Sequence, residues 1–403
     1  MTYTSANYSL PKSLKLTKPA NKVNLIVHGQ SVVFFNATDD CALIFCDAKS
    51  KPGLRVDFTK TEVFACLEPS KKGLVDKNNK KGLSDNQGVY YWLSLDSQNQ
   101  RLYAGVGEAR VENAIYKYQF DRDDNWQNNK LFLESLTTVV VERLQITSLL
   151  RDPITSSVPL LVKDTDELTM NHIAAGIHMP KANLSHTSQK LYDCITGKNF
   201  VLNTKDFPNF TKAIEYSIKT PGMWCHERLK QKATEFNKDK PDYKETYLRI
   251  TLNENNGESP GIPYVMEIWP VGHYSPIHNH GSSSAIIRVL NGSINVSLFP
   301  YLSGNVLEPF ARIDFKKDHI TWISPTLNQV HQLKNLDGNK DTCITIQCYM
   351  YEGENTAHYD YFDYLDADGK SQQYEPDSDM GFLEFKKTMK AEWKGRRRSW
   401  LGC

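Results

Sequence analysis

No sign of charge predominates in this 403-residue chain: 48 lysines and arginines face 47 aspartates and glutamates, a formal net charge of +1. A dedicated nucleic-acid binder carries a basic surplus, so that class is set aside. Long apolar runs are missing as well. No stretch approaches the ~18 to 20 apolar residues of a membrane-crossing helix, and Met1 to Tyr8 lacks the charged-then-apolar order of a secretory leader. The eight cysteines are scattered, with neither a CxxC pair nor a dense framework, as in a protein kept reduced. These absences predict a soluble, cytoplasmic protein without nucleic-acid or membrane partners.

What is present is mainly β. A chain of this length can bury two cores. Residues 1–20, rich in Lys, Ser, Thr and Pro, predict a flexible lead-in. Residues 21–150 hold short runs such as Val23 to His28, Ser31 to Phe35, Cys41 to Cys46 and Val89 to Leu95, separated by polar turn residues, and predict a β-sandwich domain. The Gly105-Val106-Gly107 turn lacks the third glycine of a dinucleotide loop and predicts a hairpin instead. Tyr90, Tyr91, Trp92 and Tyr103 suit either a sugar-binding platform or, more simply, a strand core. No chemical constellation stands in this half, and a ligand or protein partner for it is left open.

Pro153, Pro159 and Pro180 mark residues 151–184 as a connection. Helical spacing follows, as in Phe210 to Ile218 and Trp224 to Phe236, and from Tyr247 to Tyr361 the period returns to that of strands. Residues 185–365 thus form a second, mainly β domain with a helical lead-in. Residues 366–403 are blocked in charge, acidic around Asp366 to Asp379 and basic at Lys394 to Arg398, and predict a solvated tail.

The chemistry is concentrated at His278-Asn279-His280. In a strand, residues i and i+2 share a face, so two imidazoles at that spacing can grip one ion. Gly272 six residues before, Gly292 twelve after, and later Pro325 and His331 followed by Asn335 resemble the two metal motifs of a cupin, a small jelly-roll barrel. His28, His172, His178, His186, His226 and His319 stand alone and read as packed or surface residues. Where ordinary cupins add a glutamate ligand, this chain has Ser284 and Ala285. Three neutral nitrogen ligands leave a metal its full charge and open positions, a setting that deprotonates a bound thiol.

Tyr247-Leu248-Arg249, Gly272-His273, Ile277 to His280, Leu290 to Gly292, Leu298-Phe299, His331 to Asn335 and Thr345 to Tyr349 occur in the order of the cysteine dioxygenase family. Over residues 205–362 the chain resembles these non-haem iron(II) thiol dioxygenases of the cupin superfamily. The resemblance implies that His278, His280 and His331 bind Fe(II), that Arg249 clasps a substrate carboxylate with Tyr247 in support, and that Tyr349 sets its hydroxyl near that carboxylate and the bound oxygen. It implies a small thiol and dioxygen as substrates and a sulfinic acid as product. Two departures stand out: Ala285 replaces the cysteine that crosslinks to the tyrosine in animal members, and Gln347 replaces a histidine bonded to the tyrosine hydroxyl. Residues 60–120, through Tyr91 to Gly107, also resemble the β-sandwich of farnesoic acid methyltransferase-like proteins. A cupin metalloenzyme of another reaction class, and a non-catalytic ligand-binding or thiol-sensing protein, are the alternatives.

Overall fold

The structure, a computed structural model, describes residues 13–75, 81–84, 89–120, 125–253, 264–351 and 361–399, with side chains to 396 in the last segment. The chain divides into two compact units, Met1–Ser157 and Val158–Cys403.

The first unit is the expected β-sandwich. Its described strands form two six-stranded antiparallel sheets. The inner faces meet in an aromatic cluster: the rings of Phe35 and Tyr91, from one sheet, lie 5.9 Å apart, and Phe58, from the other, stands edge-on to Phe35 at 5.0 Å. Tyr91 and Trp92 are fully buried, which makes them core rather than an open platform, whereas Tyr90 is exposed. Gly105 belongs to the hairpin of Arg101–Val106 with Ala114–Gln119. A Cβ on Gly105 would lie 2.0 Å from the Trp92 ring, so this glycine serves the packing of the indole.

The second unit is built around a β-barrel of two sheets that line one cavity. The larger runs in the order Ile320–Ile323, Ser283–Asn291, Cys343–Tyr351, Tyr264–Trp269, Leu248–Asn253 and Met380–Gly381. Alternation along its strands sorts the side chains. Leu248, Ile250, Met266, Ile268 and Ile344 pack outward against helices, while Arg249, Glu267, Gln347 and Tyr349 line the cavity inside. The smaller sheet pairs Ala311–Lys316, Ser293–Leu298 and His331–Lys334. His278 bridges to His331 on one side and to Tyr364 of the Phe362–Leu365 hairpin on the other, which extends this sheet.

Helices cover the outer face of the large sheet. Phe210–Lys219 buries Phe210, Ala213, Ile214, Ser217 and Ile218, the i, i+3, i+4, i+7, i+8 stripe of an amphipathic helix. Phe382–Ser399 buries Phe385 and Met389 in the same cluster. Part of the stretch expected to be a solvated tail therefore joins the core through Phe385 and Met389, while exposed residues such as Lys387 and Lys394 keep the helix's other side in water; residues 400–403 lie outside the described residues. The acidic stretch before it likewise contains the Ser371–Tyr374 strand and the ion-paired Asp379.

Two further expectations differ from the structure. Of residues 1–20, those from Ser13 to Ala20 form an edge strand paired with Gln145–Leu150, and residues 1–12 lie outside the described residues. Its lysines and proline are what protein edges carry to prevent further pairing, and they mask a strand in the sequence. Of the expected connection at residues 151–184, the part from Val158 onward belongs to the second unit: Val162 and Leu184 are buried there with Ile286 and Trp322.

Candidate metal centre

His278 and His331 are direct cross-strand partners, each donating its backbone N–H to the other's carbonyl at 3.0 Å. Residues paired this way share a face and bring their side chains side by side. His280, two residues along, completes the set. Ring centroids are 4.5 Å apart for His278 and His331, 5.0 Å for His278 and His280, and 5.1 Å for His280 and His331. One ring nitrogen from each lies within 4.8 Å of the others.

The backbone also chooses the tautomers. His278 Nδ1 is 3.0 Å from the Pro276 carbonyl and His331 Nδ1 is 3.1 Å from that of Asn328. A carbonyl only accepts, so each Nδ1 carries the hydrogen and each Nε2 is left with its lone pair. Burial holds the His278 pKa down at about 4, and burial together with neighbouring imidazoles holds His280 and His331 well below the ordinary histidine value. All three rings are neutral at neutral pH and ready to ligate.

The glycines and asparagine of the two motifs turn out to shape the barrel. Gly292 has φ +69° in the turn between Ser283–Asn291 and Ser293–Leu298, and a Cβ there would lie 2.9 Å from the Thr342 carbonyl. Asn335 is fully buried; its Nδ2 donates to the carbonyls of Trp269 and Asp341, and its carbonyl accepts the Gly272 N–H. Neither residue faces the histidines as a ligand.

No family model matches the chain. Among solved structures, it is similar to the cupin domain of Schizosaccharomyces pombe Cnp3, at 15% identity and TM-score 0.21, over 26% of this chain and 65% of that one. It is also similar to a cupin 2 domain-containing protein from Halorhodospira halophila, at 16% identity and TM-score 0.20, over 39% and 86%. A third likeness is to an oxalate oxidase in complex with the substrate analogue glycolate, at 13% identity and TM-score 0.22, over 28% and 54%. The chain thus spans a little under two thirds of the Cnp3 domain's length. Likenesses this distant leave reaction, metal and ligand to be argued from the site itself.

The cavity beside the triad measures about 50 Å³. As roughly 10–15 Å³ admits one water, there is room for a ligand of a few heavy atoms. Arg249, Tyr247 and Tyr349 all line it. Arg249 is 5% exposed. Burial opposes its charge, but Glu267 and the surrounding tyrosines outweigh that and raise its pKa. Among the described residues its guanidinium makes no hydrogen bond, so its donors remain available. Tyr247 is stacked on Trp269 at 4.1 Å and on Phe236 at 6.2 Å; no hydrogen bond joins its hydroxyl to Arg249 among the described residues. Tyr349 lies with its ring 5.2 Å from that of His280. Ala285 is its cross-strand partner, so the position that lacks a thiol directly adjoins the Tyr349 side chain.

Beyond the apolar lining, Phe362 and Glu267 are cavity residues that the sequence did not single out. Phe362 packs on His278 at 5.2 Å and on His280 at 5.3 Å, closing one side of the triad. Glu267, 5% exposed, pairs across the sheet with Arg249 and with Thr345. Burial raises its pKa, and Arg249, Gln347 and Lys232 offset only part of that rise. One acid among the apolar residues of Tyr264–Trp269 was the signal for it.

Proposed function

We propose that the second unit is an iron(II) thiol dioxygenase that converts a small carboxylate-bearing thiol, cysteine or a close relative, to its sulfinate. The observation that carries this reading is the make-up of the site: three neutral imidazoles converge with no carboxylate grouped with them among the described residues, and Arg249, with open donors, lines the same small cavity. The reaction balances as R–SH + O2 → R–SO2⁻ + H⁺. The S–H bond is lost, two S–O bonds form, and no external reductant is consumed.

The donor set fits such a metal. Neutral, and with His278 and His331 each held in one tautomer, the three histidines present converging nitrogen lone pairs without adding charge. Iron(II) bound there supplies the redox chemistry through which dioxygen reacts with a thiolate. The chain does the rest. Arg249 orients the carboxylate through charge-assisted hydrogen bonds. Ile287, Val289, Phe315 and Leu333 keep the cavity apolar and exclude competing water. Phe362 limits the approach on the triad's flank.

Oxygen consumption by the iron-loaded protein, followed with cysteine, 3-mercaptopropionate and cysteamine, tests the proposal. Thiol-dependent uptake with one sulfinate formed per dioxygen supports it. Absence of uptake with every thiol rejects it.

A further inference from the structure

The inner face of the large sheet carries a continuous polar chain that the metal site does not use. Glu267, Thr345, Gln347 and Tyr349 are each 5% exposed or less. Tyr349 donates its hydroxyl hydrogen to Gln347 Oε1. Gln347 Nε2 donates to Glu267 Oε2 and lies 3.3 Å from Thr345 Oγ1. The direction of this chain follows from one end. Gln347 Nε2 is the atom that faces both Glu267 and Thr345, and Arg249 directly across the sheet favours the charged, acceptor-only form of Glu267 against its burial, so the amide turns its N–H2 toward Glu267. Both amide hydrogens are then committed, one to Glu267 and one to Thr345, and Oε1 is left to face Tyr349. Tyr349 can satisfy that oxygen only by donating. Its own oxygen therefore meets the cavity with lone pairs.

We propose that Glu267 is a positioning residue that fixes the polarity of the Glu267–Gln347–Tyr349 chain, so that Tyr349 accepts a hydrogen bond from the ligand instead of donating one. The ligand must then bring a hydrogen-bond donor to that point, which we assign to an amine, as well as a carboxylate to Arg249. This differs from the role that resemblance implies for Tyr349, beside the carboxylate. The lining points the same way: with Glu267 directly across from Arg249, the cavity presents a guanidinium and a carboxyl group side by side. A ligand with both an ammonium or amine and a carboxylate matches that lining better than a simple anion does. The ligand class rests on the reading of the cavity as a thiol site; the polarity of the chain does not.

Cysteine and 3-mercaptopropionate differ only by the amine, which makes them the probes. The cobalt(II)-loaded full chain is titrated with each, without oxygen, by the absorbance of the thiolate–metal bond. The wild type is expected to bind cysteine roughly tenfold or more tightly, as one hydrogen bond to a charged donor implies. Glu267→Gln supplies an amide that can donate, lets Gln347 reverse, and is expected to bring the preference within about threefold by weakening cysteine alone. Tyr349→Phe deletes the acceptor and is expected to do the same, which keeps the test open should Glu267→Gln fail to fold. An unchanged preference in either variant overturns the proposal, as does equal or absent binding of the two thiols by the wild type. Binding is read without turnover, so a protein that binds with the predicted preference yet consumes no oxygen would reject the dioxygenase reading alone.

Discussion

Asp379 holds Arg249 by both main-chain groups: its Oδ2 accepts the Arg249 N–H at 2.7 Å, and its own N–H donates to the Arg249 carbonyl at 2.8 Å. The same carboxylate, 1% exposed, pairs with Arg228 at 2.7 Å and Lys232 at 3.1 Å. An acid in a stretch that reads as tail thus fixes the strand from which the cavity's cation projects.

Asp379→Ala is expected to cost about 3–5 kcal/mol, toward the lower end because Lys232 keeps its contact with Glu235. Exposed Asp377→Ala serves as the control, within about 0.5 kcal/mol of wild type. Urea midpoints measure both. Equal effects would show that the Asp379 clamp is not structural.

The last helix makes a second prediction. Phe385→Ala removes a fully buried ring and is expected to cost about 3–5 kcal/mol. Leu383→Ala, at a position 75% exposed, is expected to change stability by less than about 0.5 kcal/mol. A negligible effect of Phe385→Ala in thermal or urea unfolding would mean that the helix is dispensable.

Acid lability of the metal-free protein follows from His278. Its folded pKa, about 4, lies below the value of about 6.5 for an unfolded histidine. Stability is therefore whole above pH 6.5 and declines as the pH falls toward 4, when the unfolded chain takes up a proton that the folded one refuses. His278 alone accounts for at most about 3 kcal/mol of that loss. Urea midpoints across this range should show the decline, and it should be smaller in His278→Phe. A saturating divalent metal at pH 7, at about 100 times its Kd, is expected to add about 2.7 kcal/mol.

Glu245 titrates in the opposite sense. Burial, with Asp242 nearby, pushes its carboxyl up to about 7. Below the unfolded value of about 4.3 the group carries no penalty, and the penalty grows as the pH rises through 7. Glu245→Gln should match wild type near pH 4 and exceed it at pH 8 by about 1–2 kcal/mol, the full shift being discounted for partial exposure.

Legibility in the sequence followed the range of the interaction. His278 and His280 were readable because two positions along one strand settle their geometry, and His331 because a short motif marks it. Arg249 came through the company of Tyr247 and the motifs that follow. Glu267 stayed hidden because alternation tells which residues share a face but not which face encloses a cavity; only the pairing of its strand with those of Arg249 and Thr345 decides that. Asp379 was hidden for a like reason. Its role depends on the parallel pairing of Met380 with Ile250, a contact across about 130 residues that leaves no local pattern. The edge strand at Ser13–Ala20 and the final helix were masked by the charged residues that keep their outer faces in water.

The most direct test of a thiol dioxygenase centred on His278, His280 and His331 is the fate of the oxygen atoms. The iron-loaded protein would be given cysteine under ¹⁸O-labelled dioxygen in ordinary water and the product read by mass spectrometry. The account predicts cysteine sulfinate with both oxygens labelled, and none from His331→Ala. Sulfinate carrying oxygen from water, or equal product from the histidine variant, would contradict it.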